Sequence, residues 1–304
     1  MDLESLRLFV DLNETKSFSK TAERNFVSQS AVSQRIRGLE TTFGHTLVER
    51  GKGRPGATFT EAGMRLLVGA RDLLARTDAL KREMAELNDG VAGSLRVATV
   101  YSIGLHVLPP GLSAFYAAYP LVNVRVEYLR TDRIYDALLA GTIDLGIVAC
   151  PRVAPQIEVV PLAGEPMVLI VPPDHPLAAR QTVPLDALHG LPFIAFDADI
   201  PTRRIIDERL RAGGVVVNVV QAFDNIETIK RVVEIGLGVA LVPEPTIRRE
   251  VRDGTLAARP LDGETFMRPT GILLRKGRAK SNALVRFVET LRTTGTITGE
   301  ITVV

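Results

Sequence analysis

Cysteine and histidine are scarce in this 304-residue chain, which has one of the former and four of the latter. A single thiol, Cys150, excludes an intrachain disulfide, fits a reducing compartment, and is expected to pack as a small hydrophobe. His45, His106, His175 and His189 are scattered, without metal-ligand spacing and with no second cysteine to help them. No stretch approaches the ~18 consecutive apolar residues of a membrane span. The N-terminal MDLESLRLFVDL is acidic and amphipathic, unlike a basic, apolar secretory leader. A cytoplasmic location without membrane partners is therefore expected.

Signatures of catalysis are equally sparse. There is no GxxxxGK[ST] loop, and GLGVAL (236–241) lacks the third glycine of a dinucleotide loop and precedes a strand instead of following one. Asp144 and Asp174 fall at strand edges or turns, without a paired-carboxylate pattern. A nucleophilic Cys150 would need a neighbouring histidine that nothing in the sequence supplies. Neither an enzyme nor a cofactor is expected.

What is present is a large apolar fraction and an uneven charge distribution. With 46% hydrophobic and 24% charged residues the chain can bury sizeable cores. Its length exceeds that of one ordinary domain. The formal charge is only +2, yet residues 16–58 carry eight bases against three acids, after an acidic first fifteen residues. Such a local basic surface suits a polyanion.

That basic region also has helical periodicity. LESLRLFVDLNET places Leu3, Leu6, Phe9, Val10 and Asn13 on one stripe. Ser17 or Ser19 can cap a short second helix with Thr21, Ala22 and Phe26 available for packing. Ser28 is a plausible cap for a third helix to about Phe43, whose apolar seam is Val32, Ile36, Leu39 and Phe43. Opposite that seam lie Ser30, Ser33, Gln34 and Arg37, with Gln29 at the tip. Two short helices around the turn NFVS, the second displaying amide, hydroxyl and guanidinium groups, follow helix-turn-helix logic, in which such groups read base edges. An ordinary solvated face is the competing reading. TLVERGKGRPGATFTEAG then reads as strand, basic Gly/Pro loop and strand. This wing would bring Arg50, Lys52 and Arg54 to phosphates or a minor groove.

Together these motifs resemble the LysR-type transcriptional regulators. The resemblance is carried by Ser17-Phe18-Ser19, Ala22-Glu23-Arg24, Val27-Ser28-Gln29, Ser33, Ile36 to Glu40 and Thr60-Glu61-Ala62-Gly63. It implies base contacts from Gln29, Ser30, Ser33 and Gln34, and phosphate or minor-groove contacts from Arg35, Arg37, Arg50, Lys52 and Arg54. Two departures stand out. Asn25 occupies a position where Leu is usual, with Phe26 beside it, which predicts a rearranged hydrophobic staple. Residues 34–35 read Gln-Arg where many members have Arg-Gln, so base preference is not carried over.

From Thr60 no proline interrupts the chain to about Asp89, and Leu66, Ala70, Leu73, Thr77, Leu80, Met84 and Leu87 follow a heptad. The spacing suits pairing with another helix or burial on the chain's own core; the resemblance favours dimerisation. NDGVAG (88–93) reads as a flexible boundary. Beyond it, short apolar strands alternate with helices, as in parallel α/β sheets. DALLAGTIDLGIV, VPPDHPL and EIGLGVALVP are similar to the effector-binding region of the same family. The expected fold is thus α/β, with an N-terminal winged helix-turn-helix (1–59) and a linker helix (60–89). A two-lobed, periplasmic-binding-protein-like parallel α/β effector domain (94–304) follows. One lobe would comprise 94–162 and 267–304, the other 163–266. The tail TTGTITGEITVV is compatible with an edge strand or a frayed end.

Ligands of open α/β sheets bind beyond strand C-termini, near helix N-termini. The turns there offer Tyr101 and Ser102, Thr131 and Asp132, Thr202 with Arg203 and Arg204, and Asn225. By the resemblance, Ser102, Thr131 and Thr202 align with pocket positions. The expected effector is a small anion or carboxylate. The expected partners are double-stranded promoter DNA, a second or further copies of the chain in a dimer or tetramer, and RNA polymerase. Two alternatives are a solute-binding module with a non-specific DNA-binding N-terminal domain, and a nucleoid-type protein of little discrimination.

Overall fold

The computed structural model describes residues 2–50, 56–86 and 91–294. The chain divides into two compact units, one of residues 1–89 with 140–142 and one of residues 90–139 with 143–304.

The first unit opens with three helices, α1 (Leu3–Thr15), α2 (Phe18–Arg24) and α3 (Gln29–Phe43). Each has its N-cap. Asp2, Ser17 and Ser28 accept from the amides of Ser5, Lys20 and Ala31, satisfying donors that a helix start leaves open. The core they enclose holds Leu6, Leu8, Phe9, Leu12, Ala22, Val32, Ile36 and Leu39. On α1 the buried stripe thus runs through Leu8 and Leu12, whereas Leu3 of the expected stripe is 41% exposed.

Phe26 departs further from expectation. It takes φ +55° in the turn after α2 and is 96% exposed, so it packs on nothing. Its neighbour explains the geometry. Asn25 Nδ2 donates to Asp11 Oδ2 (2.8 Å) and to the Thr21 carbonyl (2.9 Å), a polar clasp between α1 and α2 where an apolar contact was anticipated.

A two-stranded antiparallel wing, β1 (Val48–Arg50) and β2 (Ala57–Phe59), follows α3. Glu40 Oε1 accepts from the amides of Leu47 and Val48, so the last turns of α3 fix the start of the wing. Helix α4 (Glu61–Glu86) leaves it through Thr60, whose hydroxyl accepts from Gly63 N and donates to the Thr46 carbonyl. Gly63 is required there, since a Cβ would lie 2.2 Å from the Leu47 carbonyl oxygen. The expected heptad on α4 splits in two. Ala70 is buried in the three-helix core beside Leu67, while Leu73 and Leu80 stand exposed. The side chain of Met84 and the whole of Leu87 lie outside the described residues.

The second unit contains three hydrophobic cores, one built from residues 95–149 and 272–291, a smaller one from residues 98, 134–157 and 273, and one from residues 167–261. In the first lobe, β3 (Gly93–Thr99) pairs in parallel with β4 (Val122–Tyr128) and β5 (Leu145–Ala149). Helices α5 (Tyr101–His106), α6 (Leu108–Ala118) and α7 (Thr131–Leu139) connect them. The second lobe contains β7 (Pro192–Phe196) parallel to β8 (Asn218–Phe223), with α8 (Pro201–Ala212) and α9 (Ile226–Glu234). β9 (Ala240–Pro243), α10 (Arg248–Arg252) and β10 (Ala257–Pro260) complete it.

Two strands belong to both lobes. β6 (Ile157–Val171) and β11 (Met267–Arg275) run antiparallel to each other; β11 also flanks β5, and the C-terminal half of β6 flanks β9 and β10. Strands β3, β4, β5, β6, β9, β10 and β11 therefore form one mixed seven-stranded sheet, whereas β7 and β8 form a separate two-stranded one. Helix α11 (Asn282–Thr293) then covers the first core.

Candidate nucleic-acid interface and inter-lobe cleft

On α3 the core-facing residues Val32, Ile36 and Leu39 are at most 3% exposed, which anchors the helix rigidly. Its other face displays Gln29, Ser30, Gln34 and Arg37 to solvent, with Ser33 half-buried between them. Some of these groups are already engaged. Ser30 Oγ bonds to Ser28 Oγ at 2.8 Å, and Gln29 accepts from Ser19 at 3.4 Å. Arg35 sits apart from this group, ion-paired to Glu4 at 3.0 Å and Asp2 at 3.4 Å on the first turn of α1. The side chain of Arg50, and Lys52 and Arg54 entirely, lie outside the described residues.

In the second unit, the C-terminal ends of β3, β4, β5, β7 and β8 converge on a small cavity of about 60 Å³. Tyr101, Ser102, Thr131 and Thr202, anticipated from sequence, all line it. Asn225 does not. Its side chain caps α9 by accepting from Glu227 N, and its neighbours Asp224 and Ile226 form the wall instead. Tyr101 stacks on Tyr128 with ring centroids 5.1 Å apart. A larger adjoining cavity of about 220 Å³ shares Arg130, Thr131, Ile200 and Pro201 with the first and adds Arg152, Arg204 and Cys150.

The centre of the cleft is a residue that sequence reasoning missed. Arg268, 1% exposed on β11, donates to Ser102 Oγ (3.2 Å) from the first lobe and to Thr202 Oγ1 (3.3 Å) from the second. It also donates twice to Glu165 Oε2 of β6, through Nε at 2.8 Å and through Nη2. A buried guanidinium is tolerated only with such a carboxylate and further acceptors. The sequence held one signal. Each crossing strand carries an ionisable residue followed by proline, Glu165-Pro166 and Arg268-Pro269, inside otherwise apolar surroundings.

Polar contacts also bridge the lobes at the rim. Arg130 of the first lobe pairs with Asp199 and Asp224 of the second, and His106 Nε2 bonds to Glu227 Oε1 at 2.8 Å. Burial works against the Glu227 carboxylate, but Lys230 and His106 prevail and hold its pKa below the ordinary value. Cys150 behaves oppositely. Burial pushes its thiol up to about 11, so at neutral pH it is protonated and a poor nucleophile.

A helix-turn-helix unit followed by a two-lobed binding unit with a polar cleft defines a DNA-binding regulator joined to a ligand-binding domain. Residues 3–64 match the family described as "Bacterial regulatory helix-turn-helix protein, lysR family", and residues 88–296 match the "LysR substrate binding domain". The chain belongs to the LysR family of transcriptional regulators. It is similar to the "Probable RuBisCO transcriptional regulator" of Cyanophora paradoxa, 30% identical over 297 residues, covering 96% of this chain and 91% of the relative. Among solved structures it resembles full-length OxyR C199D from Pseudomonas aeruginosa, with TM-score 0.76 and 24% identity over 99% of both chains. It also resembles full-length CbnR complexed with its target DNA, with TM-score 0.71 and 24% identity over 97% of this chain and all of that one. These two likenesses concern the fold.

Proposed function

We propose that the chain binds promoter DNA in the cytoplasm as a dimer or dimer of dimers, and that a small anionic effector in the inter-lobe cleft sets its action. The supporting observation is the outward face of α3. Gln29, Ser30, Ser33 and Gln34 have the chemistry to meet base edges, and Arg37 the charge to meet phosphate, on a helix fixed by its buried seam. Arg50, Lys52 and Arg54 are assigned to the wing's phosphate contacts by family resemblance. Arg35, held by two acids of α1, fits a positioning role better than free phosphate binding. Leu73 and Leu80 supply an apolar stripe for pairing two copies through α4, which would set two recognition helices about one DNA turn apart. Domain limits of 1–59, 60–89 and 94–304 accompany this reading, with the lobes meeting near 162 and 267. RNA polymerase as a further partner rests on family resemblance alone.

Support for an anionic effector comes from the hydroxyls of Ser102 and Thr202, the N-terminus of the twelve-residue α8, and Arg152 and Arg204 in the adjoining cavity. The effector can bias the lobes only by binding one arrangement more tightly than another. Fluorescence anisotropy on the DNA upstream of its own gene, against random duplex, tests the central claim. A specific regulator should prefer its site by about 10³-fold or more. Gln29→Ala with Ser33→Ala should erode that preference more than total affinity, and equal losses on both duplexes would refute base reading. Calorimetry with a panel of small anions tests the effector class, which fails if only cationic or apolar ligands bind.

A further inference from the structure

Ser102 lies in the first turn of α5 in the first lobe and Thr202 in the first turn of α8 in the second. Both are buried, and both line the inter-lobe cavity of about 60 Å³. Arg268 reaches them with separate nitrogens, Nη2 to Ser102 Oγ and Nη1 to Thr202 Oγ1. A guanidinium carries N–H donors and no acceptor, whereas a hydroxyl has one proton to give and two lone pairs to offer. Each hydroxyl must therefore accept from Arg268 and keep its own proton for another partner. Neither proton meets an acceptor among the described residues.

Arg268 itself has little left for a ligand. Its Nε and Nη2 also donate to Glu165 Oε2, so most of its N–H groups are spent and the two charges cancel. What the cavity presents instead is two buried hydroxyl protons, one from each lobe. Leaving such protons without an acceptor in a low-dielectric wall is costly, and a ligand that supplies the acceptor recovers the cost.

We infer that Arg268 is a positioning residue, which fixes Ser102 and Thr202 as a pair of hydroxyl donors aimed into the cavity. The site then selects by hydrogen-bond polarity before it selects by charge. It takes an acceptor oxygen, of a carboxylate or a ketone, that receives a proton from each lobe at once. A group that only donates can use a remaining lone pair on each hydroxyl, but it leaves both protons without a partner. Arg268 does this without adding net charge, since Glu165 accompanies it. The inference rests on the cleft being the effector site, as read above, but not on the effector's charge.

The test is a ligand-observed titration of the full-length protein, without DNA, with cyclopentanone, pyrrole and butyrate. The two neutral rings are alike in size, but the first only accepts hydrogen bonds and the second only donates them. The adjoining cavity of about 220 Å³ leaves room for the rest of each molecule. Cyclopentanone should bind about tenfold more tightly than pyrrole, the worth of one recovered hydrogen bond, and butyrate should compete with it. Glu165→Leu with Arg268→Met leaves the net charge unchanged and frees both hydroxyls to rotate. The ring preference should then fall below about threefold, whereas loss of a merely structural contact would weaken both rings alike. Glu165→Gln with Arg268→Gln, whose amides both give and accept, should do the same. Thermal melts identify which double variant is folded, and the rings on the unaltered chain decide the matter should neither be. Equal binding of the two rings, no binding of cyclopentanone, or an unchanged preference in a folded double variant overturns the inference. Butyrate that fails to compete, with the ring preference intact, would refute the anionic effector and leave the role of Arg268 standing.

Discussion

At the scale of single residues, the Glu165–Arg268 pair dominates the second unit. Both partners are buried, and removing one leaves an uncompensated charge in the interior, whereas replacing both by apolar residues removes the desolvation burden with the attraction. Arg268→Met should therefore destabilise the protein by about 3–5 kcal/mol, and adding Glu165→Leu should restore much of the loss. Urea denaturation of the two variants checks this; a double variant weaker than either single would contradict it. Cys150 carries a second prediction. With its thiol pushed up to about 11, native protein at pH 8 should react with iodoacetamide at least about tenfold more slowly than the same protein in denaturant. Mass spectrometry of timed aliquots measures the ratio.

Among the elements, the informative cases are those whose two faces have different duties. Helix α4 gives Leu67 and Ala70 to the three-helix core and leaves Leu73 and Leu80 exposed. Leu80→Glu should thus shift sedimentation toward the monomer while leaving the melting of the first unit within about 0.5 kcal/mol of its original stability. Strand β3 offers the pH case. Asp144 Oδ2 accepts from the Arg96 amide at 2.8 Å, and its Oδ1 pairs with Arg278 at 2.9 Å, tying the strand to the segment before α11. Burial raises the Asp144 pKa, but Arg96 and Arg278 outweigh it and hold the carboxyl below its ordinary value. A depressed folded pKa means that the stabilisation is full above the ordinary aspartate value near 4 and is lost as pH falls through the folded one. Asp144→Asn should lose stability at neutral pH and show a shallower acid decline than the unaltered protein below about pH 4. Chemical denaturation at several pH values reads both.

At the scale of the whole chain, the residues form two compact units. In the second, polar links at the rim and Arg268 at the centre join two separately packed lobes. Arg130→Ala removes the exposed rim pairs to Asp199 and Asp224, worth about 0–1 kcal/mol in stability. Its effect should appear instead as faster amide exchange in the turns at 199–202 and 224–226, with overall stability nearly unchanged. Unaltered exchange there would show that the rim pairs hold nothing.

The recognition helix was legible in the sequence because its cap, its three-four apolar spacing and its polar face are all local. So were most strands; β8 begins at Asn218, after Val215 has turned into the core and Val216 out to solvent. The first half of β6 was not legible, because Pro161 and Gly164 interrupt its pattern where the strand passes between lobes. Local order thus determined the helices, the wing and the alternation of the α/β units. Only the tertiary structure decided that Arg268 meets Ser102, Thr202 and Glu165. Those groups lie 166, 66 and 103 positions away along the chain, and no local rule links polar groups that distant until the crossing strands bring them into one low-dielectric interior.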